Sequence, residues 1–308
     1  MPSRLFMSSG DMLADRRFDF ARDLLLSGDL VAAEDLFVQA TDLAPGFATA
    51  WFTLGEVREL LGDRQGAITA FRTAESTDPG DRNGAGLRLM RMGAADVAGM
   101  RPTYVTALFD QYAPKFDAAL LDDLGYRGPA LLLAAVLGAR AAAGKPPTFG
   151  RVIDLGCGTG LAARAFAGVA GEIVGIDLSP RMIERARATG LYAELDVADI
   201  AEGLARRPDG SADLILAADV IVYVHDMAPL LAEVARVLAS GGLFAFTVES
   251  HAGEGVVLGG GLRYAHSAAS VRGLIATSGL MLDRLEPASS RTESGAQVPG
   301  LVVVAAKR

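Results

Sequence analysis

Val152-Ile153-Asp154-Leu155-Gly156-Cys157-Gly158-Thr159-Gly160, followed by an apolar run over 161–170, decides how the chain is read. β-branched residues lead in, an acid follows, three glycines fall at alternate positions, and good helix formers come next. That order predicts strand, tight turn, helix. Glycine at this density lets a ligand approach the backbone with no Cβ in the way. The start of the following helix turns its unpaired N–H groups toward the same place. The stretch therefore reads as a binding loop for a polar small molecule carrying a nucleotide or a carboxylate. A glycine-rich turn with no ligand is the alternative.

The spacing narrows the ligand. A dinucleotide fingerprint runs G-x-G-x-x-G, whereas here the third glycine comes one residue early, at Gly160, and Leu161 follows it. Asp154 precedes the first glycine, where it would repel a pyrophosphate. Asp154-Leu155-Gly156-Cys157-Gly158-Thr159-Gly160 resembles the first motif of class I S-adenosylmethionine-dependent methyltransferases. The resemblance implies that Asp154 faces the ammonium of S-adenosylmethionine and that Gly156, Cys157, Gly158 and Gly160 cradle its amino-acid end.

With 308 residues the chain suits two domains, and 51% hydrophobic residues suffice for a sizeable core. A net charge of −8 argues against nucleic acid as the main partner. Cys157 is the only cysteine, so no internal disulfide or thiolate metal cluster is expected and a reducing cytoplasm is the expected setting. No His pair stands at metal-ligand spacing, so no metal is expected. The opening residues 1–7 lack the apolar core of a secretory leader. The apolar run at 130–139 is too short to span a bilayer, so no membrane association is expected.

Residues 1–100 repeat. Gly28 and Gly62 lie 34 apart, as do Asp29 and Asp63, Ala33 and Ala67, Phe37 and Phe71, Ala40 and Ala74, and Pro45 and Pro79. That is the tetratricopeptide period, and Trp51, Leu54, Gly55, Gly62, Ala67, Phe71 and Pro79 resemble that family's signature positions. Copies at 12–46 and 47–80 are expected, with a cap helix at 85–92, in an all-α domain over 12–100. Two copies are fewer than a free-standing array needs. The repeats read either as a groove for a partner or as a docking or self-association platform.

Pro102 marks the boundary to a second region, 101–150. Phe109-Asp110-Gln111-Tyr112-Ala113-Pro114-Lys115-Phe116-Asp117 resembles the segment that covers the cofactor in many small-molecule methyltransferases. By that resemblance Tyr112 touches the amino-acid end of S-adenosylmethionine; at helical spacing Phe109, Tyr112 and Phe116 read equally well as core. Pro114 should split the helix.

Residues 151–308 alternate strand and helix, predicting a Rossmann-like, seven-stranded doubly wound α/β sheet. The class I resemblance adds an antiparallel last strand. Strands are expected at 151–155, 172–177, 192–200, 213–220, 243–249, 281–286 and 301–306. Asp177 ends the second, where an acid accepts from ribose hydroxyls. Asp177-Leu178-Ser179-Pro180-Arg181-Met182 resembles a pattern in which Leu178 lies beside the cofactor and Met182 packs on adenine, although Met182 also reads as core. By the same resemblance Asp199, or less so Asp196, accepts from the adenine amine, and the N–H of Ile200 faces the ring. Asp219 is placed beside the transferring methyl. A helix is expected at 227–238, stopped by Ser240-Gly241-Gly242, and another after Ser267.

Methyl transfer is an in-line displacement that needs the acceptor held against the methyl carbon. A phenol, amine or carboxylate acceptor can also need a base. Candidate bases or acceptor contacts follow the strand ends: Tyr223 and His225, Glu249 and His251, and Arg263, Tyr264 and His266. Combining repeats, leading segment and glycine loop, the chain resembles a bacterial group of predicted tetratricopeptide-repeat methyltransferases. The resemblance implies methyl transfer from S-adenosylmethionine to a small molecule. The alternative is a non-catalytic nucleotide-binding module acting through its repeats. A nicotinamide oxidoreductase fits less well, because of Asp154 and Leu161.

Overall fold

The computed structural model describes residues 8–118, 120, 124–293 and 295–308. The leader expectation falls on residues 1–7, outside the described residues. The chain forms two compact units that divide between Gln111 and Tyr112.

The first unit is helical: α1 (Met12–Ser27), α2 (Leu30–Leu43), α3 (Ala48–Leu61), α4 (Arg64–Thr77), α5 (Ala85–Arg91) and α6 (Pro102–Tyr112), the last ending at the division. A Gly-Asp pair punctuates it twice. Gly28 and Gly62 close α1 and α3 in the left-handed conformation, with φ of 87° and 83°. The next residues, Asp29 and Asp63, cap α2 and α4 by accepting from Ala32 and Gly66 amides. Phe18, Phe37 and Phe47 form one aromatic core and Phe52 with Phe71 another. Gly55 lets α3 meet α4, because a Cβ there would lie 2.6 Å from the buried Phe71 ring. The expected boundary at 100/101 precedes the division because Thr103 bonds Gly80 and Arg101 pairs with Glu75 at 3.4 Å, tying the start of α6 to this unit.

The second unit opens with a 3-10 turn, Ala113–Lys115, where Pro114 interrupts the helix, then α7 (Phe116–Ala118) and α8 (Gly128–Ala142). There follow β1 (Phe149–Leu155), α9 (Leu161–Phe166), β2 (Ala170–Asp177), α10 (Pro180–Ala188), β3 (Glu194–Val197), α11 (Ile200–Ala205), β4 (Ala212–Ala217), α12 (Ala228–Val237) and β5 (Leu238–Ser250). The chain then runs through β6 (Val256–Leu258), β7 (Tyr264–His266), α13 (Ala268–Thr277), β8 (Leu280–Pro287), β9 (Thr292–Glu293), β10 (Ala296–Gln297) and β11 (Gly300–Lys307).

The main sheet is ordered β3-β2-β1-β4-β5-β11-β8, and it is Rossmann-like. β11 runs antiparallel to both its neighbours, with Val303 opposite Phe246 and Leu285. Adjacent β1 residues face opposite cores. Val152 packs with Leu132 and Val136 of α8 and Phe166 of α9, while Ile153 packs with Leu204, Leu230, Val234 and Ile275 from α11, α12 and α13. Burial of both faces explains the nearly continuous apolar strands. The order reverses between β2 and β4 around β1, so the crevice of a doubly wound sheet opens at the end of β1.

Three local expectations are corrected. The helix after the glycine loop ends at Phe166, not 170. The helix expected to 238 yields at Leu238 to β5, and Gly241, with φ of 74°, lies inside that strand where its register on β4 shifts. Tyr264–His266 is a strand rather than the approach to a helix; it pairs with the end of β5 at Glu249. Among the described residues no helix is long and apolar enough to cross a membrane.

Gly55→Val is expected to destabilise the helical unit by about 1–3 kcal/mol through overpacking against Phe71. Denaturant unfolding followed by Trp51, the sole tryptophan and a residue of α3, reads this. An unmoved midpoint would show that the ring yields freely.

Candidate active site

The loop after β1 holds Gly156, Gly158 and Gly160 at φ of 59°, 53° and 93°, a left-handed region costly to other residues. Gly156 is also required by space, since a Cβ there would lie 2.4 Å from a methyl of Val220. β2 fixes the other side. The Asp177 carboxylate accepts from Gly158 N–H and from Ser179 N–H, both at 2.8 Å, and Cys157 N–H donates to Ile176 at 3.1 Å. Cys157 itself is buried, and burial pushes its thiol up. The leading segment lies over the same loop: the Phe116 ring comes within 3.6 Å of where a Gly158 Cβ would point, and Asp117 accepts from the Thr159 hydroxyl.

Beneath the loop, Asp154 is 1% exposed and accepts from the Tyr192 hydroxyl at 2.7 Å. Burial, with some help from the Asp177 charge, pushes it up to about 7. Tyr192, the partner of Asp154, is a residue that sequence reasoning missed. It lies ahead of β3, 38 residues from its partner, and no spacing rule links the two.

Asp199, at the exit of β3, caps α11 through the Ala201 amide at 2.9 Å, and Ile200 behind it is buried. Leu178 is half-buried beside Asp177. Met182 is corrected: it is fully enclosed on the inner face of α10 and presents no surface to a ring.

At the ends of β4 and β5 the side chains form a charged cluster. Asp219, expected beside the transferring methyl, has its carboxylate engaged within the protein. Its carboxylate accepts from the Thr247 hydroxyl at 2.7 Å, from Ser290 at 3.0 Å and from Arg291. Glu249 likewise accepts from Arg263 at 2.5 Å and from Arg291, and Glu293 pairs with both arginines. Glu249 and Arg263, expected to meet the acceptor, are thus paired with each other. Three tyrosines border this cluster. Burial raises Tyr112, Tyr126 and Tyr223; Arg263 opposes the shift at Tyr112, and the Asp219 and Asp154 charges add to it at Tyr126. Tyr126, Ser290 and Arg291 were not found from sequence because they lie outside every motif.

Of the expected bases, His225 remains half-buried, with its ring 5.3 Å from Tyr264. His251 is corrected to a loop staple: one ring nitrogen accepts from Gly253 N–H at 3.1 Å and the other donates to Gly255 O at 3.2 Å. His266 and Tyr264 are also corrected, because strand β7 buries both at 0% exposure. His266 Nε2 donates to Val224 O at 3.0 Å, and burial lowers its basicity.

Residues 153–246 match a family model described as a methyltransferase domain. A ubiquinone biosynthesis O-methyltransferase of Xanthomonas oryzae pv. oryzae is 33% identical over 95 residues, covering 30% of this chain and 40% of the relative. A dimethylglycine N-methyltransferase of Parasynechococcus marenigrum is 37% identical over 118 residues, 37% of this chain and 42% of the relative. The chain therefore spans about two fifths of these curated relatives. The structure of a Burkholderia thailandensis 1,6-didemethyltoxoflavin-N1-methyltransferase, with S-adenosylhomocysteine bound, shares the fold at a TM-score of 0.50 and 18% identity, over 69% of this chain and 93% of that one. Residues 153–246 thus match a methyltransferase domain, and the Rossmann-like sheet in which they lie follows an N-terminal helical region.

Proposed function

We propose that the protein transfers a methyl group from S-adenosylmethionine to a small-molecule acceptor. One observation carries this reading. Two carboxylates, Asp154 and Asp177, end neighbouring parallel strands and bracket a left-handed loop of three glycines. The donor set suits a zwitterionic nucleoside: a buried carboxylate short of a cation, a loop with no side chain at three of its positions, and a strand-end acid for ribose hydroxyls. S-adenosylmethionine, when bound, supplies the methyl on a positively charged sulfur.

The residues divide the work by position. Asp154 acts from beneath the loop as a counter-charge to the ammonium, and Gly156, Cys157, Gly158 and Gly160 give the carboxylate end its room. Asp177 takes the ribose, with Leu178 beside it, and Asp199 and Ile200 take the adenine edge. Tyr112 and Phe116 cover the loop and keep water from it. Tyr223 and His225, after β4, stand on the acceptor side, where the half-buried His225 makes, among the described residues, no ring hydrogen bond of the kind that ties down His251 and His266. The relatives named above methylate small molecules by their names, which supports a small acceptor here. The helical hairpins, with Gly-Asp punctuation 34 residues apart, support the tetratricopeptide reading of the first unit and its use as a docking or self-association platform. Incubation with S-adenosylmethionine and a panel of phenols, amines and carboxylic acids tests the activity. Appearance of S-adenosylhomocysteine with a methylated product supports it, and binding without turnover on any acceptor would favour a non-catalytic module.

Asp177→Ala is expected to weaken S-adenosylhomocysteine binding by about 1–3 kcal/mol, as for loss of a charged hydrogen bond; isothermal titration calorimetry that finds unchanged affinity would remove Asp177 from the ribose role.

A pH dependence follows from Asp154. Its folded pKa of about 7 exceeds the ordinary carboxylate value of 3.8. The folded protein then holds a proton the unfolded chain gives up, so this group's contribution to stability falls as pH rises across that window. A cation beside it draws the proton off. Affinity for S-adenosylhomocysteine should rise with pH up to about 7, by at most about tenfold per unit, then level off until the ligand's own ammonium loses its proton. Asp154→Asn should flatten the rise; a profile equally steep in the variant would exclude Asp154 as its source.

A further inference from the structure

The segment 289–293 is a hub. Its main chain receives bonds from Arg127 at Ser289 and Ser290, and Thr292 N–H donates to Leu124 at 2.8 Å. At its centre Arg291 is 6% exposed and carries one carboxylate on each guanidinium nitrogen: Asp219 from the end of β4, Glu249 from the end of β5, and Glu293 from β9. A planar guanidinium with five donors can hold three carboxylates in fixed directions, which an ammonium cannot.

Asp219 matters most of the three. Its backbone has φ of 57°, a left-handed conformation uncommon outside glycine. Thr247 holds that conformation from both ends, its hydroxyl accepting from Asp219 N–H at 2.8 Å and donating to Asp219 Oδ1 at 2.7 Å. Arg291 and Ser290 hold the other oxygen. The next residue is Val220, whose methyl fills the space where Gly156 lacks a Cβ. A rotation at Asp219 therefore shifts Val220 relative to the first glycine of the loop, with which it is in close register.

We propose that Arg291 is a positioning residue for the cofactor loop. It fixes Asp219 in the left-handed conformation, Asp219 sets Val220, and Val220 sets Gly156. The proposal rests on the reading above that this loop holds S-adenosylmethionine. Among the described residues the ion pairs of Arg291 go to Asp219, Glu249 and Glu293, all outside the loop; its effect travels through a single strained residue, and that makes it separable from a general loss of stability.

The test is calorimetric titration of S-adenosylhomocysteine into the full chain and its R291M, R291K, D219G and R291M/D219G variants, each well below its own unfolding midpoint. R291M should bind about 5- to 30-fold more weakly, and R291K should fall between it and the unsubstituted protein. Glycine adopts the left-handed conformation without restraint and removes the carboxylate that R291M leaves unpaired, so R291M/D219G should regain most of the affinity. R291M within about twofold of the unsubstituted protein, or a double variant as weak as the product of the single effects, overturns the proposal. If R291M does not fold, R291K and R291K/D219G carry the same comparison with the same deciding outcomes. Absence of binding by the unsubstituted protein overturns the reading of the loop, and this proposal with it.

Discussion

The hydrogen bonds that the Asp177 carboxylate accepts from Gly158 N–H and Ser179 N–H are the constraint on which the site depends. They join the end of one strand to the turn after its neighbour. The glycine loop is thereby held open by an acid at the end of the neighbouring strand. A loop of three left-handed glycines would otherwise carry more conformational freedom than a binding site can use. The parallel register of β1 on β2, with Leu155 beside Ile176, delivers the two acids and the turn to one edge.

Two carboxylates at that edge have opposite surroundings. Asp154 sits in an enclosed place with a tyrosine hydroxyl and another acid nearby, and no arginine is among the groups that shift it, so it keeps its proton to about neutrality. Asp219, one strand away, is matched by Arg291, whose own charge is strengthened by Asp219 and Glu249. The arrangement leaves one acid seeking a cation and the other fully engaged. Such a division suits a site where one positive ligand must be gripped and the surrounding backbone must not move.

The parts of this architecture that follow from local rules were legible in the sequence. Asp154 to Gly160 announces the turn because its chemistry is contiguous, and Gly28-Asp29 with Gly62-Asp63 announces the helical hairpins because the punctuation repeats. Asp177 was legible for the same reason: an acid at a strand end, followed by Ser179 and Pro180, opens a helix in an ordinary way. What failed was non-local. β7 is three residues long, with no alternation to reveal it, so Tyr264 and His266 read as residues of an open mouth when a strand pairing buries them. Arg291 meets Asp219 across 72 positions, and no pattern of residue types links them. His251 is an ordinary loop residue until the turn at 253–255 supplies partners for both its nitrogens.

The antiparallel strand β11 lies between β5 and β8, although β8 precedes it along the chain. During synthesis β8 therefore emerges with no neighbour to join. β5, with Leu243, Phe244 and Phe246 already committed to the interior, must wait with an unpaired edge. An apolar strand kept waiting in this way invites pairing with other nascent chains. The topology thus leaves one apolar border of β5 open until the residues of β11 have been made.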